Sequence, residues 1–253
     1  MLLAVDIGNT STSFAVFNKT KLKKFFYCDT EKLLNQKYLK NKIQNHTSHK
    51  EISACALSSV VPQVTKPFRK NMSKILGSIP CIEVSTQVKT GLSFKVDNPF
   101  EVGADRIANC VAAHHLIKKD TIIVDFGTAT TFDVLTKKGV YLGGLIYPGI
   151  ETSFKNLFQK AAKLHTIKLE KPKSLIGKNT QDHIRSGFFY GYASLVEGIV
   201  RKIELETGKK FFVIGTGGFS SILKKATTSI DKVDPYFTLK GIHIISSLNN
   251  LSK

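Results

Sequence analysis

The sequence predicts an α/β protein built as two domains of similar plan with a cleft between them. Three observations carry that expectation. Apolar stretches of strand length alternate with longer, helically periodic stretches along the whole chain. A unit of strand, Asp-x-Gly turn, hydroxyl run and second strand stands twice, as "VDIGNTSTSFAVF" at Val5–Phe17 and as "VDFGTATTFDV" at Val124–Val134. A charged stretch at Lys118–Asp120 separates helix from strand just ahead of the second copy, which puts the expected domains at 1–118 and 119–253. The length of 253 residues suits two domains of ordinary size, and 42% apolar residues suffice for packed cores.

In order, the first half opens with a hairpin, Leu2–Val5 and Ser13–Phe17, both apolar enough for buried strands. A polar helical stretch around Thr30–Gln44 follows, then a buried strand in "ISACALSSV", a helix near Gln63–Leu76 and a short strand around Cys81–Val84. The loop "KVDNPFEVG" leads into a helix from about Ala104 to Ile117, with Ile107, Val111 and His114 at helical spacing. The second half restarts with strand Thr121–Val124, the Asp125 turn and strand Thr131–Leu135. Lys137-Lys138-Gly139 turns tightly into Val140–Ile146, and "YPG" ends that strand. Helical patterns near Glu151–Leu164 and Thr180–Glu206 precede a strand in "FFVIG", a Gly-rich turn and a terminal segment rich in strand formers.

Composition narrows the class of protein. Apolar runs are too short to span a membrane, and residues 1–5 read as strand rather than as part of a signal peptide, so a soluble, cytoplasmic protein is expected. Cys28, Cys55, Cys81 and Cys110 lie far apart without a C-x-x-C, which reads as buried thiols in a reducing compartment. The net charge of +18 comes mostly from lysine, since Arg69, Arg106, Arg185 and Arg201 are the only arginines among 37 basic residues. Specific nucleic-acid recognition draws on arginine, so a lysine-covered, solvated surface that attracts anionic substrates is the expectation.

Asp6-Ile7-Gly8-Asn9-Thr10 places a carboxylate at a strand end, and Gly8 lets the next amides turn into an anion-binding concavity. Thr10, Ser11 and Ser13 add hydroxyl donors. A carboxylate repels phosphate, so its natural partner is a cation or a water on a phosphate-bridging magnesium ion. One copy alone reads equally well as an ordinary hairpin turn. The second copy, Asp125-Phe126-Gly127-Thr128, repeats the residue types, and two such loops suit a nucleoside triphosphate. The G-x-x-x-x-G-K-[ST] phosphate loop is absent. In "FFVIGTGGFS", Gly215, Gly217 and Gly218 allow backbone to approach a flat ligand such as adenosine, although a strand-to-helix turn looks the same.

Asp105 falls in the first turn of the Ala104 helix, where the helix dipole stabilises an anion. Arg106 beside it opposes that dipole and suits a substrate carboxylate instead. Asp105 is placed to accept a hydroxyl proton as a phosphoryl group arrives; an Asp–Arg surface pair is the bland alternative. Thr180 reads as the N-cap of a helix beginning at Gln181. Within that helix Gly187, Gly191 and Gly198 each cost about 1 kcal/mol relative to Ala, which suggests that another element packs there. The histidines, His46, His49, His114, His115, His165, His183 and His243, show no metal-ligand spacing, and His114–His115 suit helix-end electrostatics. Ser58-Ser59 lacks the setting of a hydrolase nucleophile.

Together "DIGNT", "DNPFEVGADR", "DFGTATTFDV", "YLGGLIYPG", "GKNTQDHIRSG", "YGYASLVEG" and "IGTGG", in this order over nearly the whole chain, resemble the type III pantothenate kinases. The resemblance implies two ribonuclease H-like, actin-like ATPase domains with mixed sheets flanked by helices. It also implies ATP-dependent phosphorylation of the primary hydroxyl of pantothenate, the first step toward coenzyme A. Asp6, Ile7, Gly8, Asn9, Thr10, Ser11, Thr12 and Ser13 match the family's ATP-binding segment, and Thr128 a further ATP contact. Asp6 also matches a position near Mg²⁺-ATP. Asp125 matches the holder of a monovalent cation, K⁺ or NH4⁺. Gly103, Ala104, Asp105 and Arg106 match the pantothenate-binding segment, with Asp105 as catalytic base, and Thr180 matches another pantothenate contact. The resemblance further implies a homodimer, which would account for the glycine-bearing helix. The chain departs from the family pattern at Ala15, often glycine, and at Phe100, in a loop position that is variable or polar in relatives. Two alternatives are a sugar kinase on the same fold, against which the lack of a second carboxylate-rich loop argues, and a regulatory factor, against which Asp105 and Arg106 argue.

Overall fold

The computed structural model describes residues 1–160 and 167–251. The chain packs as two compact units, Met1–Lys118 with Gly139–Tyr141 and Phe237–Lys253, and Lys119–Lys138 with Leu142–Tyr236. The units are therefore not two consecutive segments, because the chain returns to the first unit for its final helix.

In the first unit β1 (Leu2–Ile7) is the middle of a five-stranded sheet. It pairs antiparallel with β2 (Ser11–Asn18), which pairs antiparallel with β3 (Lys21–Asp29). On its other side it pairs in parallel with β4 (Ala54–Ser59), and β4 with the edge strand β5 (Cys81–Glu83). Alternation along β1 decides both cores. Leu3, Val5 and Ile7 join Phe14, Val16 and Phe26 beneath α1 (Gln36–Gln44) and α2 (Pro62–Leu76), whose buried residues include Ile43, Val64, Phe68, Met72 and Ile75. Phe14 stacks on Phe26 with ring centroids 4.8 Å apart. A fully buried side chain of this size contributes about 1.5–3 kcal/mol.

The opposite face carries Leu2, Ala4, Ala15, Ala54 and Ala56, small enough for α3 (Ala104–Leu116) and α7 (Phe237–Leu248) to lie close. These two helices meet at backbone distance: a Cβ on Gly241 would sit 1.8 Å from the Ala108 carbonyl oxygen. A short strand, β6 (Ser93–Phe94), precedes α3 and pairs in parallel with Val140 and Tyr141 of the same unit.

The second unit repeats the plan. β7 (Thr121–Phe126) pairs antiparallel with β8 (Ala129–Leu135) and in parallel with β10 (Phe212–Gly217). β9 (Val140–Pro148) flanks β8, and β11 (Lys232–Val233) pairs in parallel with β10. Ile122, Val124, Phe126, Phe132 and Val134 pack against Tyr192, Val196, Val200 and Ile203 of the long α5 (Thr180–Thr207). α4 (Ile150–Lys160) and the short α6 (Ser220–Leu223) complete the unit.

Several elements differ from the sequence reading. The terminal segment is the helix α7 rather than strands; its isoleucines suit a strand, but Leu239, Ile242 and Ile245 recur at helical spacing toward α3 and the alanine face of the sheet. A strand not expected from the sequence, β3, carries its lysines on the exposed side while Phe26 and Cys28 point in. The Thr30–Gln44 stretch divides into a 3₁₀ turn, Thr30–Leu34, and α1, whose N-cap Asn35 accepts a hydrogen bond from the Tyr38 amide. Of the helix expected at Glu151–Leu164, residues 161–164 lie outside the described residues, as does His165. Cys81 is exposed, unlike the three buried cysteines.

Candidate active site

Asp6 sits one residue before the end of β1, flanked in register by Ser13 on β2 and Ser58 on β4. The buried Ser58 hydroxyl donates to Asp6 Oδ1 at 2.9 Å and fixes the carboxylate. The turn that follows is tied from below. Gly8 N–H donates to the Ser11 carbonyl at 3.1 Å, Thr30 Oγ1 donates to the Gly8 carbonyl at 2.6 Å, and Thr30 N–H donates to the Thr10 carbonyl at 3.1 Å. Asn9, Thr10 and Ser11 are exposed at the tip and Ser13 is half-buried. Ile7 and Thr12 are fully buried, Thr12 Oγ1 lying 3.0 Å from Thr30 Oγ1, so the side chains of these two support the loop.

Asp105 and Arg106 open α3. Gly103 is the N-cap without a side chain to offer, and Asp105 supplies the missing acceptor: its Oδ1 takes the Arg106 N–H at 2.8 Å. The carboxylate curls back over Gly103, where a Cβ would lie 2.6 Å from Asp105 Oδ1. That is a steric reason for the glycine. Ala104 is buried against the α3 core. The sequence leads one to expect a dipole-stabilised anion at Asp105. Burial outweighs that effect and pushes the carboxyl above its usual range, against the Arg106 amide and guanidinium, which pull it down. The Arg106 guanidinium lies over the Tyr141 ring, 6.0 Å from its centroid.

In the second unit Asp125 is flanked in register by Thr131 on β8 and Thr216 on β10. Thr216 is 1% exposed, and its hydroxyl has no hydrogen-bond partner among the described residues. Gly217 keeps the space beside Asp125 open, since a Cβ there would stand 2.6 Å from Asp125 Oδ1. The turn is closed by Gly127 N–H to the Ala129 carbonyl at 3.1 Å. Thr128 is exposed, and its carbonyl accepts from Gly149 N–H at 3.2 Å and from Thr152 Oγ1 at 2.8 Å. Gly149, the last residue of "YPG", is needed for this approach: a Cβ would lie 2.3 Å from the Thr128 carbonyl oxygen. In the glycine-rich turn, Gly215 packs toward Ile230 and Gly217 toward Asp125, whereas Gly218 faces open space.

The N-cap of α5 is Asn179, not Thr180: the Asn179 side chain accepts the Asp182 N–H, and Thr180 is the first helical residue, exposed. Asn and Thr both cap well, and register alone separated them. Along the same helix nothing among the described residues comes within 4 Å of a Cβ placed on Gly187, Gly191 or Gly198. Among the described residues no cluster of three His, Cys, Asp or Glu side chains could hold a metal. Burial, with His114 and Lys118 adding to it, lowers the His115 pKa, which leaves a poor charged cap for the helix end. Ser58 and Thr216, neighbours of Asp6 and Asp125, are candidate residues that sequence reading missed. Their only signal is the strand register, which joins segments far apart in the chain.

Two mixed sheets of five and six strands that share the order β3-β2-β1-β4-β5 and β9-β8-β7-β10-β11, each with an aspartate near the end of its third strand in that order and a hydroxyl-bearing turn beyond, have the actin-like ATPase and sugar kinase class of fold. A ROK hexokinase from Thermus thermophilus shares it at TM-score 0.52 and 13% identity, over 98% of each chain. A Campylobacter jejuni protein assigned provisionally to the Baf family of transcriptional activators shares it at TM-score 0.63 and 20% identity, again over 98% of each. Within this class a sequence model of the type III pantothenate kinases matches residues 2–202, and the chain belongs to that family. The type III pantothenate kinase of Roseiflexus sp. is 41% identical over 98% of this chain and 99% of its own length. That of Moorella thermoacetica is 41% identical over 98% and 100%.

Proposed function

We propose that this kinase moves the γ-phosphoryl group of ATP to the primary hydroxyl of pantothenate with Asp105 as general base, Arg106 as the anchor of the substrate carboxylate and the Asp6 turn as the phosphate grip. Membership of the family gives the overall activity, phosphorylation of pantothenate on the way to coenzyme A. The observation that carries the residue roles is the hydrogen-bonded, half-buried Asp105 at the mouth of α3 with Arg106 beside it.

The pantothenate hydroxyl oxygen attacks the γ-phosphorus, and the bond to the β-phosphate bridging oxygen breaks to release ADP. The hydroxyl proton passes to the Asp105 carboxylate and from there to water. A carboxyl raised by burial is a better base than an ordinary aspartate. Phosphoryl transfer has a loose transition state, so orientation counts for more than base strength. The guanidinium of Arg106 suits bidentate capture of the substrate carboxylate, with Gly103 and Ala104 bringing backbone close and Thr180 adding a hydroxyl. Amides and hydroxyls from Gly8 to Ser13, with Thr128, take the ATP phosphates.

Magnesium supplied with ATP screens the phosphate charges, and Asp6, held by Ser58, suits a water on that ion. A monovalent cation, K⁺ or NH4⁺, suits Asp125, because the partnerless buried Thr216 hydroxyl in register beside it offers a second oxygen. Support for a homodimer comes from a groove of about 630 Å³ along α5, lined by Tyr147, Leu157, Gly187, Phe188 and Gly191. Leu145 and Ile146 are exposed as well. A single-chain mass by light scattering at micromolar concentration would remove that reading. We place the enzyme in the cytoplasm, in keeping with its free cysteines.

The deciding experiment couples ADP release to pantothenate. No turnover in either potassium or ammonium overturns the activity. Asp105→Asn is expected to lower kcat by about 10²–10⁴. Its effect on stability has the opposite sign. A carboxyl whose folded pKa is raised contributes stability below its unfolded pKa of about 3.9, and that contribution is lost as pH rises through the folded value. At pH 7 the variant therefore keeps or raises the melting temperature. Loss of both activity and stability would mark Asp105 as structural instead. The acid limb of kcat/KM is expected above the ordinary aspartate range, because burial raises the base.

A further inference from the structure

Cys55 and Cys81 are far apart in sequence, yet β4 and β5 pair them directly: they are register partners on adjacent parallel strands. Register partners in a sheet have Cα atoms about 4.8 Å apart, inside the range of about 4.4–6.8 Å that a disulfide spans. The two thiols lie close enough to perturb each other's ionisation. Both line one cavity of about 160 Å³, together with Phe68, Arg69 and Met72 of α2. They differ in environment. Cys55 is buried at 2% exposure in the sheet, and its amide is tied to the Pro80 carbonyl at 2.9 Å. Cys81 lies on the edge strand and is exposed.

We propose that Cys81 and Cys55 form a peroxide-reactive dithiol, with Cys81 as the attacking thiol and Cys55 as the resolving one. The cavity is several times the volume of a water molecule, about 30 Å³, so hydrogen peroxide fits within it. The electrostatics agree with the division of roles. Interaction with the Cys55 thiol holds the Cys81 thiol below its usual range, and the Arg69 guanidinium adds to this, against burial and Glu83. Cys55 is held well above its usual range by the same interaction, by burial and by the neighbouring Cys81 charge, so it keeps its proton. Arg69 stays in place through its ion pair with Glu83 at 3.2 Å.

The step balances with hydrogen peroxide as the two-electron oxidant. The Cys81 thiolate attacks one peroxide oxygen, the O–O bond breaks, and the departing hydroxide leaves as water after taking a proton. Cys81 is then a sulfenic acid. The Cys55 sulfur attacks the Cys81 sulfur, the S–O bond breaks, and the hydroxide leaves with the Cys55 proton as a second water. Two thiols and one peroxide become one disulfide and two waters, and a dithiol reductant reverses the change. Neither residue belongs to the phosphoryl-transfer machinery, so this proposal stands or falls apart from the kinase assignment.

The test uses the full-length wild-type enzyme treated with hydrogen peroxide. Its intact mass is expected to fall by about 2 Da, with recovery on dithiothreitol. A proteolytic map is expected to join the Cys55 peptide to the Cys81 peptide while Cys28 and Cys110 stay reduced. Cys81 is expected to react with a thiol reagent at least about tenfold faster than Cys28 or Cys110. Cys55→Ser is expected to stop at the sulfenic acid, trapped on Cys81 by dimedone, and Cys81→Ser to form neither product while retaining phosphoryl transfer. Four thiols persisting after treatment, or a link through Cys28, Cys110 or a second chain, would overturn the proposal. Should Cys55→Ser fail to fold, the wild-type peptide map decides the matter by itself.

Discussion

Near the end of β1, Asp6 lies between Ser13 on β2 and Ser58 on β4; near the end of β7, Asp125 lies between Thr131 on β8 and Thr216 on β10. Strand order, register and the flanking hydroxyls are duplicated. What differs is whether the deep hydroxyl is used. Ser58 donates to Asp6 at 2.9 Å, while the Thr216 hydroxyl is buried without a partner among the described residues. The turns differ too. Ile7 pairs with Thr12 across Gly8–Ser11, whereas Phe126 pairs with Thr130 across Gly127–Ala129, one residue fewer. The longer turn offers exposed Asn9, Thr10 and Ser11, and the shorter one offers Thr128. A fold can thus be copied whole while the chemistry diverges through one hydrogen bond and one loop residue. A carboxylate pinned by a serine suits a fixed contact to a metal-bound water, and a buried oxygen with no partner suits a bare cation.

The sharpest way to break this division is at Asp6. Asp6→Asn keeps the acceptor for Ser58 and removes the charge. It is expected to lower kcat/KM for ATP by about 10–100-fold, as outer-sphere metal partners do, equally in potassium and sodium. The second turn is expected to respond differently. Asp125→Asn and Thr216→Val should each cost at least the roughly tenfold of a lost outer partner in potassium, and leave the sodium rate almost unchanged. A readout apart from turnover is the melting temperature, which potassium is expected to raise in the wild type, by binding the folded state, and not in either variant. If Asp6→Asn abolished the potassium preference while Asp125→Asn kept it, the two assignments would have to be exchanged.

The sequence already contained much of this comparison, because it rests on residues that backbone chemistry demands locally. An aspartate, a glycine two residues on and a run of hydroxyls can be recognised without knowing what they pack against. Asp105 and Arg106 are legible for the same reason, as is Gly103, although its cause, the carboxylate curled over it, is not. Ser58 and Thr216 were not legible. Each becomes a neighbour of its aspartate only through parallel pairing, which joins distant segments and leaves no local trace. The direction of the Asp105 pKa was hidden likewise, since helix position argues for a stabilised anion and only tertiary burial reverses it. The strand β3 was masked by lysines on its exposed side, and α7 by isoleucines that suit either element until Gly241 meets Ala108. The Cys55–Cys81 pair belongs with these, for spacing separates what register unites.

The smallest expected effect separates the surroundings of the two aspartates by stability rather than by rate. Gly217 has φ +82° and stands against the second aspartate; an alanine Cβ would lie 2.6 Å from Asp125 Oδ1 and 2.7 Å from the Phe126 carbonyl. Neither backbone nor carboxylate can give way without loosening β7. Strain at positive φ alone costs about 1–3 kcal/mol, so Gly217→Ala is expected to cost about 2 kcal/mol. For a chain of this size that lowers the melting temperature by about 4–8 °C. Gly8 stands in the turn after Asp6 in the first unit without a positive φ, and its Cβ would meet only the Ser11 carbonyl oxygen at 3.0 Å. A few tenths of an ångström of movement in an exposed turn relieves that contact, so Gly8→Ala is expected to stay within about 1 kcal/mol of the wild type. Thermal melts of the two variants, side by side, test whether the surroundings of Asp125 are the tighter ones. Equal losses would mean that the space beside Asp125 is not held open by Gly217, and the cation reading would lose its steric support.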